Sequence, residues 1–239
     1  MIATDDAIVC ALLAHGETAV IARLLTASHG LVAAYVHGGR GRRLRPLLQP
    51  GNRVAATLSA RSDTQLPRAS LEPVAQRAAL ATSALALATI DWLCTLSAAV
   101  LPEGEPMPAV FEALDAVTAA AAAGADPVAL GAAVVRYELL LLGQSGFGLD
   151  LASCAATGAR ADLGFVSPKS AQAVSRGAGL PYADKLLPLP AFLIGDTPAD
   201  GAAVAAGLRL SGHFVERQWL RDRPAPLIDT RARLVARFD

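Results

Sequence analysis

Cysteine and lysine are scarce in this chain, and each scarcity removes a class of protein. The three cysteines, Cys10, Cys94 and Cys154, are odd in number and far apart. That excludes the disulfide framework of a small secreted domain and points to the cytoplasm. Lysine occurs only at Lys169 and Lys185, so arginine carries nearly all the positive charge. Long apolar runs are missing too. Ala84–Ile90 is stopped by Asp91, far short of the roughly 20 residues that span a bilayer, so no membrane segment is expected. The opening MIATDD has no basic stretch ahead of an apolar one, which argues against a signal peptide.

Catalytic and metal-binding patterns are equally thin. The four histidines, His15, His29, His37 and His213, form no HxxxH or HExxH pair, and no zinc site or other metal site is expected from them. Gly38-Gly39-Arg40-Gly41 is neither GxGxxG nor GxxxxGK[ST], which removes the common nucleotide-binding loops. His37-Gly38-Gly39 has the look of an esterase oxyanion element, but the nearest elbow, Gly143-Gln144-Ser145-Gly146-Phe147, lacks its closing glycine. No nucleophile, base and orienting group come together, so the chain is not expected to be an enzyme, and no cofactor is expected.

What is present divides into two halves of different period. At 239 residues the chain can hold one large domain or two smaller ones. In the first half, short apolar runs at Ala7–Ala14, Thr18–Leu25, Leu31–Val36, Val54–Ala60 and Gln65–Leu71 alternate with Gly- and Pro-containing turns. About five such strands suggest a small β-barrel, and Leu44–Leu48 has room for one helical turn. Pro67 places the fifth strand at an edge. From Pro73 the alanine- and leucine-rich pattern becomes helical. Helices are expected over Pro73–Ser97, Pro108–Ala123, Pro127–Leu142, Pro198–Gly207 and Ser211–Phe238, the last with a break around Arg223-Pro224. Residues 146–190, rich in Gly, Ser and Pro, read as irregular. The expected fold class is α+β, a barrel over residues 1–75 followed by a helical domain over 76–239.

The strongest chemical signal is HGGRGRRLRP at residues 37–46. Arg40, Arg42, Arg43, Arg45 and the nearby Arg53 gather in a stretch with no acidic residue, in a chain of net charge zero. The glycines would let the backbone approach a ligand closely. Five-stranded OB barrels place nucleic-acid-binding loops between strands, and arginine forks pair with phosphates and stack on bases. The stretch reads as a polyanion-binding loop. The arginines near the C-terminus, Arg217, Arg221, Arg223, Arg231 and Arg233, are the next candidates.

The order Gly16-Glu17-Thr18, Leu25-Thr26-Ala27-Ser28-His29-Gly30-Leu31, Gly38-Gly39-Arg40 and Leu47-Leu48-Gln49-Pro50-Gly51 resembles the N-terminal domain of the RecO family of bacterial recombination mediators. Gly146-Phe147-Gly148-Leu149-Asp150-Leu151-Ala152-Ser153-Cys154-Ala155-Ala156-Thr157-Gly158 looks like the family's second signature. The resemblance implies an N-terminal OB-fold, a C-terminal helical domain, and binding and annealing of single- and double-stranded DNA. It also implies work with RecR to replace SSB by RecA, and a pocket in the helical domain for the acidic, Phe-ending C-terminal tail of SSB. Arg136, in the third helix, is the residue proposed for that tail. Many family members carry a four-cysteine zinc site in the irregular segment. Here only Cys154 remains, with Thr157, Ser175 and Ala178 at the other positions, and one thiol cannot make such a site. The segment therefore resembles a zinc loop that lacks its cysteines. The competing reading is an adaptor whose helices dock a protein while the barrel's charge is incidental.

Overall fold

Alternation of apolar and polar residues drives the first five strands to bury one face each, and a closed barrel is how five short strands remove their edges. The computed structural model describes residues 2–60, 62, 65–221 and 225–238. Strands β1 (Ile2–His15), β2 (Ala19–Thr26), β3 (Gly30–Val36), β4 (Arg53–Ser59) and β5 (Arg68–Ala75) close in the order β1-β2-β3-β5-β4, the OB-fold arrangement. β1 has 14 residues and serves two neighbours. Its first part pairs with β4, its second part with β2, and the register shifts between Val9 and Ala11. Such a bulge bends a strand enough to turn the barrel's corner. Val9, Leu24, Ala34 and Val54 fill the interior. β3 and β5 meet in parallel at a single pair, Tyr35 with Arg68.

The fifth strand runs further than expected, through Pro73 to Ala75, so the helix expected from Pro73 begins later. Pro73 fits because β5 pairs there only with Val54 of β4, which leaves the missing N–H on an unpaired side. The expected single helix is then two pieces, α1 (Arg77–Leu80) and α2 (Ala84–Val100), the second capped by Ser83 Oγ accepting from the Ala86 N–H. α3 (Pro108–Ala122) follows. Asn52 is buried and ties these parts together. Its amide donates to the Pro46 and Leu47 carbonyls, and its Oδ1 accepts from the Ala78 N–H. Barrel and first helices belong to one compact unit, residues 1–125, and residues 126–239 form the other. The strands stop and the helices start near residue 76, while the compact units divide the chain about fifty residues later.

In the second unit, α4 (Pro127–Gln144) packs against α6 (Gly201–Val215). α6 runs unbroken through Gly207 and Ser211, where a gap had been expected. It continues as a π-turn at Glu216–Leu220. α7 (Ala225–Val235) follows, and the expected break at Arg223-Pro224 lies outside the described residues. The unit's charged centre is Glu138, fully buried, which accepts two hydrogen bonds from Arg231 at 2.9 and 3.0 Å and one from the Ser211 hydroxyl. α4 is long and apolar enough to cross a membrane by length and composition alone, but half of it is buried inside the unit as a core helix. The segment over 146–190 is more regular than its composition suggests. It holds β6 (Leu163–Val166), β7 (Ala173–Ser175), the four-residue turn α5 (Arg176–Gly179) and β8 (Leu187–Pro188), with sheet order β7-β6-β8.

Candidate nucleic-acid interface

The arginine loop leaves β3 and folds back over the barrel. Gly38 has φ +64° with open space around it, the left-handed turn that glycine adopts at no steric cost. A Cβ at Gly39 would lie 2.6 Å from Val20 Cγ2 and 3.1 Å from Leu48 Cδ1. Gly39 therefore lets the loop fold tightly onto the barrel, while the backbone at Gly38 faces open space. The Arg40 N–H donates to the Thr18 carbonyl at 3.0 Å, the Gly41 N–H to the Gly38 carbonyl at 2.8 Å, and the expected helical turn forms through the Leu48 N–H to the Leu44 carbonyl. Leu47 and Leu48 are buried beneath it. The backbone is thus held from both sides while Arg40, Arg42, Arg43 and Arg45 remain exposed. Arg40 rests its Nη1 on the Glu17 carbonyl at 3.2 Å. Among the described residues no carboxylate forms an ion pair with any of the four.

Arg53 is different. Its Nη2 reaches Asp6 at 2.5 Å, its Nη1 reaches Asp115 at 3.1 Å, and its guanidinium lies 5.9 Å from the Phe111 ring centre. The Asp6 hydrogen bond raises its pKa further above its ordinary value. The structure thus separates Arg53 from the loop arginines with which the sequence grouped it. Two more cations share that end of the barrel and are also paired: Arg77 with Asp115 at 2.8 Å and Arg23 with Glu103 at 2.8 Å. There too, burial would raise the Asp5 carboxyl, but the Ser28 N–H at 2.8 Å, His29 at 3.1 Å and the Ser28 hydroxyl hold it below its ordinary value. Arg68, which the sequence reading passed over, stands exposed at the loop end, again with no ion pair to a described carboxylate. Its signal was its position, the first residue of a strand immediately after Pro67.

In the helical unit, Arg136 donates from Nη2 to the Phe192 carbonyl at 2.9 Å and lies over the Phe192 ring at 5.3 Å. The adjoining depression of about 480 Å3 also presents Asp126, Asp196 and Thr197. Of the later arginines, Arg231 is committed to Glu138 and Arg217 donates to the Pro168 carbonyl while stacking on Phe214. Arg221 is exposed, and Arg223 lies outside the described residues. Around Cys154, two of the three positions that the family resemblance pairs with it, Thr157 and Ser175, still meet the sulfur. The Ser175 N–H donates to the Cys154 sulfur at 3.2 Å. Hydrogen bonding from the Ser175 and Thr157 side chains and the Ser175 N–H pulls the thiol down to about 6. One thiol with two hydroxyls does not fit the four-ligand zinc site. Hydrogen bonds such as Cys154 N–H to the Ala159 carbonyl and Gly158 N–H to the Cys154 carbonyl hold the loop.

A closed OB barrel thus carries a loop of exposed arginines that make no ion pair with a described carboxylate. The chain belongs to the RecO family. Residues 1–77 match the family model described as Recombination protein O N terminal, and residues 81–225 match Recombination protein O C terminal. A relative from Phenylobacterium zucineum named DNA repair protein RecO is 47% identical over 235 residues, covering 92% of this chain and 96% of its own. One of the same name from Rhodospirillum centenum is 45% identical over 238 residues, covering 98% and 94%. Another, from Cereibacter sphaeroides, is 42% identical over 233 residues, covering 97% and 95%.

Proposed function

We propose that this protein is a cytoplasmic recombination mediator of DNA repair. It binds single- and double-stranded DNA, anneals complementary strands, and with RecR assists RecA in replacing SSB. The observation that carries this reading is the set of four exposed arginines with no ion pair to a described carboxylate, on a loop whose backbone is pinned to the barrel. Such side chains neutralise phosphates and release counterions. Two strands held near one set of cations lose part of their mutual repulsion, which is the physical basis of annealing. The protein acts by binding, without making or breaking a bond. The helical unit takes the acidic, Phe-ending SSB tail, with Arg136 offering the face of its guanidinium not used on Phe192.

The test is fluorescence anisotropy with labelled oligothymidylate and with duplex DNA at two salt concentrations. Binding to both that weakens as salt rises supports the reading. No binding at low salt overturns it and favours a protein-docking adaptor. For the tail, a labelled peptide should bind the full chain, and Arg136→Ala should weaken it. Equal binding by the variant removes Arg136 from the role.

A further inference from the structure

Beside the arginine loop the barrel has a groove that the proposed function does not account for. It has a volume of about 680 Å3 and lies along the seam where β3 and β5 are joined only at Tyr35 and Arg68. Tyr35 points outward because its strand neighbours, Ala34 and Val36, fill the interior. Its ring is half-buried and steadied by His15, edge-on at 5.7 Å. Its N–H donates to the Pro67 carbonyl at 2.8 Å. Arg43 and His37 enter from the loop, Arg68 from β5, and the hydroxyls of Thr57 and Ser59 line the β4 side. No carboxylate is among the groove's described lining residues. Neither Arg43 nor Arg68 makes an ion pair with a described carboxylate.

An aromatic face, two guanidinium groups with no ion pair to a described carboxylate and a row of hydroxyls suit one ligand chemistry, a single-stranded polynucleotide. Aromatic rings stack on bases without reading their identity, and arginines follow the backbone on either side. We infer that this groove holds one unpaired base on Tyr35, with the phosphates flanking it on Arg43 and Arg68. The inference rests on the DNA-binding reading and adds to it. The loop arginines attract any phosphate backbone, single or double. Only the Tyr35 groove distinguishes them, because a base inside a duplex is already stacked and cannot enter. His37 and the hydroxyls donate to the same backbone.

The experiment compares oligothymidylate, the same strand with abasic sites, and duplex DNA against the wild-type chain and three variants. Tyr35→Leu should weaken oligothymidylate binding about fivefold to a hundredfold, the worth of one stacked base, and leave duplex binding within about twofold. Tyr35→Phe should keep the wild-type affinity. The abasic strand should bind wild type and Tyr35→Leu alike, a result that a merely structural role for Tyr35 would not produce. Arg68→Ala should flatten the single-strand salt slope by about 0.7. The inference is overturned if Tyr35→Leu weakens strand and duplex equally, or weakens neither while replacing the loop arginines still lowers affinity. The DNA-binding reading survives both of those outcomes. If the wild-type chain binds no DNA at all, the two fall together.

Discussion

Where β2 turns into β3 and β4 begins, every arginine named in the barrel unit has an anionic partner: Arg23 with Glu103, Arg53 with Asp6 and Asp115, Arg77 with Asp115. At the opposite end Arg40, Arg42, Arg43, Arg45 and Arg68 have none among the described residues. The same residue type is thus used in two ways on one small barrel. The paired arginines join segments far apart in sequence. Arg53 and Arg77, for instance, bring α3 to the strands through one shared carboxylate. The unpaired ones do little for the fold, since backbone hydrogen bonds and Leu47 and Leu48 already hold their loop. Net charge zero conceals this, because the described ion-paired carboxylates of the barrel unit gather at one end while the loop arginines at the other have no such pair.

The comparison breaks most visibly at Asp115. Removing it strips Arg77, which is 6% exposed, of its carboxylate and leaves, among the described side chains, the Thr118 hydroxyl at 3.0 Å. Breaking a buried pair from one side costs about 3 kcal/mol or more, because a buried charge is left uncompensated. Asp115→Ala should lower the stability measured in urea by about 3 kcal/mol. DNA affinity of the folded variant should stay within about twofold. An unchanged stability would mean that these arginines are not holding the unit together.

The converse variant replaces Arg40, Arg42, Arg43 and Arg45 by alanine. With about three of them on phosphates of a single strand, each worth about −0.7 in the slope of log K against log salt, the slope should flatten by roughly 2. Affinity near 0.1 M salt should fall about tenfold to a hundredfold, alike for different sequences, and strand annealing should fall with it. Each exposed substitution should change stability by only about 0.5 kcal/mol. A folded quadruple variant with the wild-type salt slope would place the DNA site elsewhere, with Arg221 the first exposed arginine to examine.

The barrel was legible in the sequence because alternation with period two needs only local information, and Gly and Pro mark the turns. The arginine cluster was legible for the same reason, being contiguous. What escaped was whatever depends on partners distant in the chain. Arg53 looked like one more loop cation until the fold brought Asp6 and Asp115 to it across 47 and 62 residues. Arg68 and Tyr35 looked ordinary because the seam that joins them forms only on barrel closure. Pro73 read as a helix start because sequence does not reveal which side of a strand lacks a neighbour. In the segment around Cys154 the missing cysteines were plain, but not that Ser175 and Thr157 still gather on the remaining sulfur.

A smaller effect sharpens the comparison through pH. The Asp5 side chain is 7% exposed and its carboxyl is held below its ordinary value by the Ser28 N–H and His29, which outweigh the cost of burial. A carboxyl depressed in the folded state is protonated first in the unfolded chain as pH falls. Its contribution is therefore full above the unfolded value of about 3.9 and is lost as pH drops below it. Asp5→Asn should cost about 1 kcal/mol near pH 7, and the gap to wild type should close below about pH 3.9. A gap that persists unchanged at pH 3 would show that the carboxylate's charge is not what Ser28 and His29 recognise.

The smallest expected effect tests whether pairing itself removes an arginine from the proposed DNA-binding face. Arg23 and Glu103 meet at 2.8 Å but are 32% and 55% exposed. Such surface pairs contribute about 0.2–1 kcal/mol, so Arg23→Ala should barely move the thermal midpoint. Its charge is already cancelled by Glu103, so a phosphate would have to displace that carboxylate to reach it, and little net counterion release would follow. Removing Arg23 alone leaves Glu103 uncompensated, which could repel DNA weakly. The informative variant is therefore the double one, Arg23→Ala with Glu103→Ala, in which both charges disappear. It should bind oligothymidylate within about twofold of wild type with the same salt slope, whereas Arg42→Ala alone should flatten that slope by about 0.7. If the double variant flattens it as much as Arg42→Ala does, an ion pair does not withdraw an arginine from DNA, and Arg53 returns as a candidate for contact.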